Sequence, residues 1–277
     1  MTSKAGELYQ AGRLADAVAA QLALVKANPA GAELRGFLCE LLCFGADLQR
    51  IDTHLDAIAR LDPKTELGTA EFRQIVRGEQ ARRACFTDGA LPEFVGDPSP
   101  TLREHLRALA LLRSGDEAGA AQVLAIAEEG RPTVAGTCDG QAFDDIRDLD
   151  DLCAPFLEVL TTTGKYFWIA MEQLVSVEFR APQRARDIVW RSALMHVRNG
   201  PEGAVYVPAL YPLSHTASAE ATQLGRATDW LGAEDGPVRG AGQRMMLVGE
   251  VARPILEIGR IDVEAPVYEA PEGERVH

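Results

Sequence analysis

Ser214 and His215 are the side chains that first suggest covalent chemistry, a hydroxyl beside an imidazole. A serine nucleophile needs a histidine nitrogen on its hydroxyl, and adjacency in the chain does not supply that geometry. No G-x-S-x-G turn surrounds the pair, which therefore reads as part of the loop after Pro212. Cys39 and Cys43 are four apart on an apolar helical stretch and share a face. They lack the C-x-x-C spacing and nearby histidine of a zinc site, so they read as small buried hydrophobes. Cys85, Cys138 and Cys153 are scattered. The run from Asp144 to Asp151 invites calcium, yet Ile146 and Leu149 interrupt the ligand alternation and Arg147 repels a cation. It is expected to be a solvated or capping segment. Gly164-Lys165 lacks the upstream glycine of a phosphate-binding loop. By type and spacing, no catalytic, cofactor-binding or metal-ligating set emerges, and neither an enzyme nor a cofactor is expected.

Recognition chemistry is better represented. Lys165-Tyr166-Phe167-Trp168-Ile169 sets three aromatics in a row, and strand alternation puts Tyr166 and Trp168 on one face with Phe167 on the other. Most of these apolar residues suit a small β-core. Trp190, flanked by Arg184, Arg186 and Arg191, has the composition of a binding hot spot, and Trp190 and Arg191 are expected in a partner-binding patch. Gly203 to Pro212 forms a second dense stretch.

The elements that must position these residues fall into two halves. In residues 1–133, Gly12 and Gly45 are 33 apart and Pro29 and Pro63 are 34 apart. Gly78 continues the glycine period, and Gly115 with Pro132 restores the pattern after a degenerate segment. Glycine suits the turn after a helix and proline ends one. A period near 34 is that of tetratricopeptide (TPR) helix pairs, so stacked helical hairpins with a concave face are expected. The helix from Ala32 to Phe44 is largely apolar and, Arg35 apart, is broken by Glu33, Gly36 and Glu40. Shifting by 33 residues maps these onto Glu66, Thr69 and Arg73, and shifting back brings Glu40 to Glu7. This repeated stripe is the expected lining of a groove for a partner helix.

From about residue 134 the period changes. Short β-type runs are expected at 156–163, 165–170, 174–179, 188–197, 204–207, 243–248 and 255–263, with Gly164 as a hairpin turn. Their short spacings favour antiparallel pairing. The fold expected is multidomain: TPR-like repeats over 1–133, then an antiparallel-rich α+β domain over 134–277 with a loose tail from about 265.

Charge and composition narrow the partners. Twenty-eight Lys and Arg against 41 Asp and Glu give a net charge of −13, which argues against nucleic acid and anionic membrane. Five cysteines are an odd number and too few for a disulfide scaffold, no run approaches a membrane span, and the N-terminus has no signal-peptide core. A cytoplasmic protein without a small-molecule substrate is expected.

Three motifs carry a family resemblance. Phe143-x-x-x-Arg147-Asp148-x-Asp150-Asp151, Gly164-Lys165-Tyr166-x-Trp168 and Pro182-x-x-x-Arg186-Asp187-x-x-Trp190-Arg191 resemble the ImpE/SciE/TagJ family. Gly203-x-Val205-Tyr206-x-Pro208-Ala209-Leu210-Tyr211-Pro212 extends the match, while Ile169-Ala170-Met171 replaces a stretch that often carries proline. These are accessory components of the bacterial type VI secretion system. The resemblance implies TPR-like helices before an α+β domain and no catalytic residues. It also implies binding of the small contractile-sheath subunit through a helix near that subunit's N-terminus. The alternative from another class is an enzyme or small-ligand-binding protein with its site in the β-rich half.

Overall fold

Capping and apolar spacing divide the first half into helices α1 (Lys4–Gln10), α2 (Leu14–Ala27), α3 (Ala32–Leu42), α4 (Gln49–Leu61), α5 (Glu66–Thr87), α6 (Pro100–Ser114) and α7 (Glu117–Glu129). These belong to a computed structural model that describes residues 3–265; the tail expected beyond Ala265 lies outside the described residues. Ser3 caps α1 by accepting from the Gly6 amide, and Ser99 caps α6 from the Leu102 amide with Pro100 in its first turn. In α4, Ile51, Leu55 and Ile58 recur at helical spacing and are buried. Gly12 and Gly115 hold positive φ in the turns of α1–α2 and α6–α7, whereas Gly45 between α3 and α4 does not. Gly78 does not turn the chain. It lies inside the 22-residue α5, where a Cβ would sit 3.2 Å from Leu160. The third expected hairpin is thus replaced by one long helix, with α1–α2 and α3–α4 before it and α6–α7 after it.

The second half contains β1 (Gly136–Cys138), β2 (Gln141–Phe143), β3 (Ile146–Asp148), β4 (Phe156–Thr161), β5 (Tyr166–Ala170), β6 (Leu174–Phe179), β7 (Trp190–Val197) and β8 (Glu202–Pro208). The short α8 (Glu220–Gln223), β9 (Thr228–Leu231), β10 (Arg239–Gly242), β11 (Met245–Val248), β12 (Val251–Pro254) and β13 (Arg260–Val263) complete it. Eight strands form one sheet in the order β2-β1-β13-β6-β7-β8-β4-β5. β12-β11-β3 form a second sheet and β10-β9 a third, with antiparallel pairing in every ladder. The fold is α+β, and helix gives way to strand between Glu129 and Gly136.

The large sheet is buried on both faces. Phe156, Leu160, Tyr166, Trp168 and Trp190 join the helices in one continuous apolar cluster that reaches Leu38, Phe72 and Leu102. Leu157, Val159, Ile169, Met195 and Val207 face the other way, onto Ile146, Met246, Val248 and Ile255. Strands buried on both faces read as nearly continuous apolar runs, which is why β4 is Phe-Leu-Glu-Val-Leu-Thr with one anomaly, Glu158.

Candidate functional site: the helical face and the charged joint beneath it

The polar stripe on α1, α3 and α5 does not share one fate. Glu7, Glu33 and Glu66 are exposed. Gly36 is half-buried, and a Cβ built on it meets nothing within 4 Å. Glu40 instead accepts a hydrogen bond from the Ala185 amide at 3.2 Å, so the second half of the chain already sits on it. Its partial burial raises its carboxyl pKa, opposed by that amide and by Arg186 and Arg184. Thr69 is buried, its hydroxyl donating to the Glu66 carbonyl at 3.0 Å, and cannot line an open groove. Arg73 pairs with Asp52 at 3.1 Å and with Asp56, which ties α5 to α4. The stripe expected from the period is therefore shortened. Glu7, Glu33, Gly36 and Glu66 remain accessible, and Glu40, Thr69 and Arg73 are committed within the chain.

Trp190 and Arg191 require a larger correction. Trp190 is 1% exposed, stacks edge-on to Phe72 of α5 and donates from Nε1 to Glu79 at 3.0 Å. Arg191, on the opposite face of β7, donates to the carbonyls of Arg180, Ile255 and Ile258 at 2.9, 2.5 and 2.7 Å. Neither is a surface hot spot. One joins helices to sheet and the other closes the turn before β13. Tryptophan and arginine serve interfaces within a chain for the same reasons as those between chains, and sequence cannot distinguish the two.

Between helices and sheet lies a charged joint that residue spacing did not reveal. Glu158 receives both Nε and Nη2 of Arg82 at 2.8 Å, the Tyr166 hydroxyl at 2.5 Å and Arg244 Nη2. Arg82 also donates to Leu210 O at 2.8 Å and to Glu79 at 3.3 Å. Glu79 in turn holds Arg83 at 2.9 Å, and Arg83 donates to the carbonyls of Ala46 and Gly45 beyond α3. On the far side Arg244 pairs with Asp148 at 3.1 Å, and Asp150 accepts Arg239 at 3.0 Å and the Gly240 amide at 2.8 Å. Asp148 and Asp150 are fully buried, so the acidic run expected to be solvated is partly interior. Burial alone would raise the Glu158 carboxyl, but Arg82 and Arg244 hold it down at about 2. Asp148 shares its one arginine with Glu158 and lies beside Asp150, and burial pushes it up to about 7. The clue in the sequence was a glutamate at the centre of an apolar strand, a position that demands a buried cation opposite it.

Reactive groups are placed for packing. Ser214 donates its hydroxyl proton to the Tyr211 carbonyl at 2.7 Å and accepts the Gly242 amide at 2.7 Å. Burial pushes the Cys39 and Cys85 thiols up to about 12, and raises Cys43, Cys138 and Cys153 as well, which disfavours the nucleophilic thiolate. Among the described residues no group of three or more His, Cys, Asp or Glu could hold a metal ion. An apolar cavity of about 180 Å³ opens on the sheet between Val159, Phe167, Met195 and Val205. That is below the usual volume of a small-molecule site.

Fold and site together define an α+β protein whose helical array is locked to a large antiparallel sheet by a buried ionic joint. The ImpE protein family matches residues 140–262, where Asp148, Asp150, Glu158 and Arg244 of the joint lie. The type VI secretion system accessory component TagJ of Pseudomonas aeruginosa is 31% identical over 261 residues, covering 94% of this chain and 91% of that protein. A crystal structure of a Vibrio parahaemolyticus protein superposes with a TM-score of 0.89 at 27% identity, covering 95% of this chain and 98% of that one. The chain belongs to the ImpE family.

Proposed function

We propose that this chain is an accessory component of a type VI secretion system, acting as a non-enzymatic adaptor in the cytoplasm. The observation that carries this reading is the nearly end-to-end similarity to TagJ, which spans the helices as well as the sheet. The partner proposed is the small subunit of the contractile sheath, held through a helix. Stacked TPR-like hairpins offer a face for such a helix, and Glu7, Glu33, Gly36 and Glu66 are its accessible part. The buried joint supports the same reading, because it spends the chain's interior charges on rigidity and leaves the helical face fixed in shape. Among the described residues no helix is long and apolar enough to cross a membrane.

Fluorescence anisotropy with a labelled peptide from the N-terminal helix of the cognate small sheath subunit tests the proposal. Saturable binding is expected, with weakening by Glu33→Lys and Glu66→Lys. Absence of binding to the unaltered chain would remove the sheath subunit as partner. Retention in both charge reversals would move the site off the helical stripe.

A further inference from the structure

We infer that the open edge of β9 is a second docking surface, taking an extended basic segment of another protein as an added strand. The backbone makes the first case. β9 pairs with β10 in a two-stranded sheet, and among the described residues no strand lies on its other edge. Alternate amide and carbonyl groups of a strand point to each side, so half of those in β9 face outward without a ladder. The fold covers the equivalent edge of β5, where the Glu93 amide donates to Tyr166 O at 2.8 Å and Glu93 O accepts the Trp168 amide at 3.1 Å. The edge strand β12 ends in proline, which blunts it. β9 is Thr-Asp-Trp-Leu, without lysine or proline.

The side chains make the second. Trp230 and Leu231, on opposite faces of β9, are 46% and 51% exposed, and Leu213, 41% exposed, lies beside Leu231. Leu231 and Leu213 open onto a groove of about 260 Å³ walled by Phe86, Leu109, Leu112 and Pro237. Exposed apolar side chains along an unpaired strand edge mark an interaction site in a folded protein.

Charge selects the occupant. Asp229, Glu234, Asp235 and Glu117 surround the edge, all exposed and none in an ion pair among the described residues. Of the two cations lining the groove, Arg239 is paired with Asp150 at 3.0 Å, and Arg113, donating to Cys85 O at 2.9 Å, leaves the four carboxylates in excess. A strand carrying Lys or Arg, with a bulky apolar side chain for the groove, complements all three features.

Peptide phage display against the full chain, followed by anisotropy with the selected peptides, tests this surface. Enriched peptides are expected to alternate basic and bulky apolar residues. They should weaken about tenfold or more on Leu231→Asp and on Glu234→Lys with Asp235→Lys, the latter pair lying at an exposed hairpin tip. The sheath-helix peptide, measured in parallel, should bind these variants unchanged, which separates this surface from the helical stripe. Failure to enrich, or peptides that keep their affinity for both variants, would overturn the inference. So would a dimer in light scattering that Leu231→Asp dissolves, because the occupant would then be a second copy.

Discussion

Helix α5 carries acidic and basic residues at both ends, and the two ends do opposite things with them. Near its start Glu66 is exposed, and Arg73 pairs with Asp52 and Asp56, which lie half in water. Near its end Glu79 and Arg82 are 2% exposed and belong to a network running through Glu158 and Arg244 to Asp148. Both ends look alike in the sequence. In water a charge pair contributes little to stability, whereas an interior charge stripped of its partner costs several kcal/mol, so the buried end is structural, while at the exposed end only Glu66 is left accessible.

The largest effect that would break this contrast is at the centre of the joint. Glu158→Gln leaves Arg82 and Arg244 without their shared carboxylate, and a loss of about 3–5 kcal/mol in urea unfolding is expected. A loss under about 1 kcal/mol would mean that the joint is not the structural element described. Next comes Trp190→Phe, which keeps the ring against Phe72 but removes the N–H that Glu79 accepts. A cost of about 1–3 kcal/mol is expected, with unchanged affinity for the sheath peptide. Reduced affinity at unchanged stability would restore Trp190 to the binding surface.

The pH dependence sharpens the same contrast. Glu158 titrates at about 2 in the fold against an ordinary 4.5, so its stabilisation is present above 4.5 and lost as pH falls through about 2. Asp148 has the opposite sign. Held at about 7 against an ordinary 3.8, it favours the fold fully below 3.8, and that contribution is lost as pH rises through about 7. Asp148→Asn is expected to flatten the decline in stability between about pH 4 and 7 and to leave the acid limb in place. An unaltered slope in that range would show that Asp148 does not carry it.

The smallest effects belong to the exposed stripe on α3. Gly36→Ala places a methyl where nothing lies within 4 Å and should raise stability by about 0.5–1 kcal/mol through helix propensity. Lower affinity for the sheath peptide in the same variant would locate the partner's backbone against α3. Glu33→Lys should move stability by under about 0.5 kcal/mol. A larger fall would mean that Glu33 is bound within the fold, as Glu40 is.

What the sequence settled alone was local. The glycine–proline period marked two helix pairs before α5 and one after it, because turns and helix ends depend on backbone sterics within a few residues. Alternating and continuous apolar runs located β4 to β8, β11 and, within 255–263, β13, whereas the short β1, β2, β3, β9, β10 and β12 were not expected. The family was also legible, since Arg147-Asp148-x-Asp150, Trp190-Arg191 and Tyr206 to Pro212 are read directly from the chain. What only the tertiary structure decided was which of those residues touch solvent. Trp190, Asp148 and Glu40 have neighbours more than 35 residues away, in Glu79, Arg244 and Ala185. Burial and charge pairing arise from such distant contacts, and no local spacing encodes them. Gly78 makes the point most simply: its place in the 33-residue period suggested a turn, and the approach of Leu160 from β4 shows it instead as the gap that lets a strand lie against a helix.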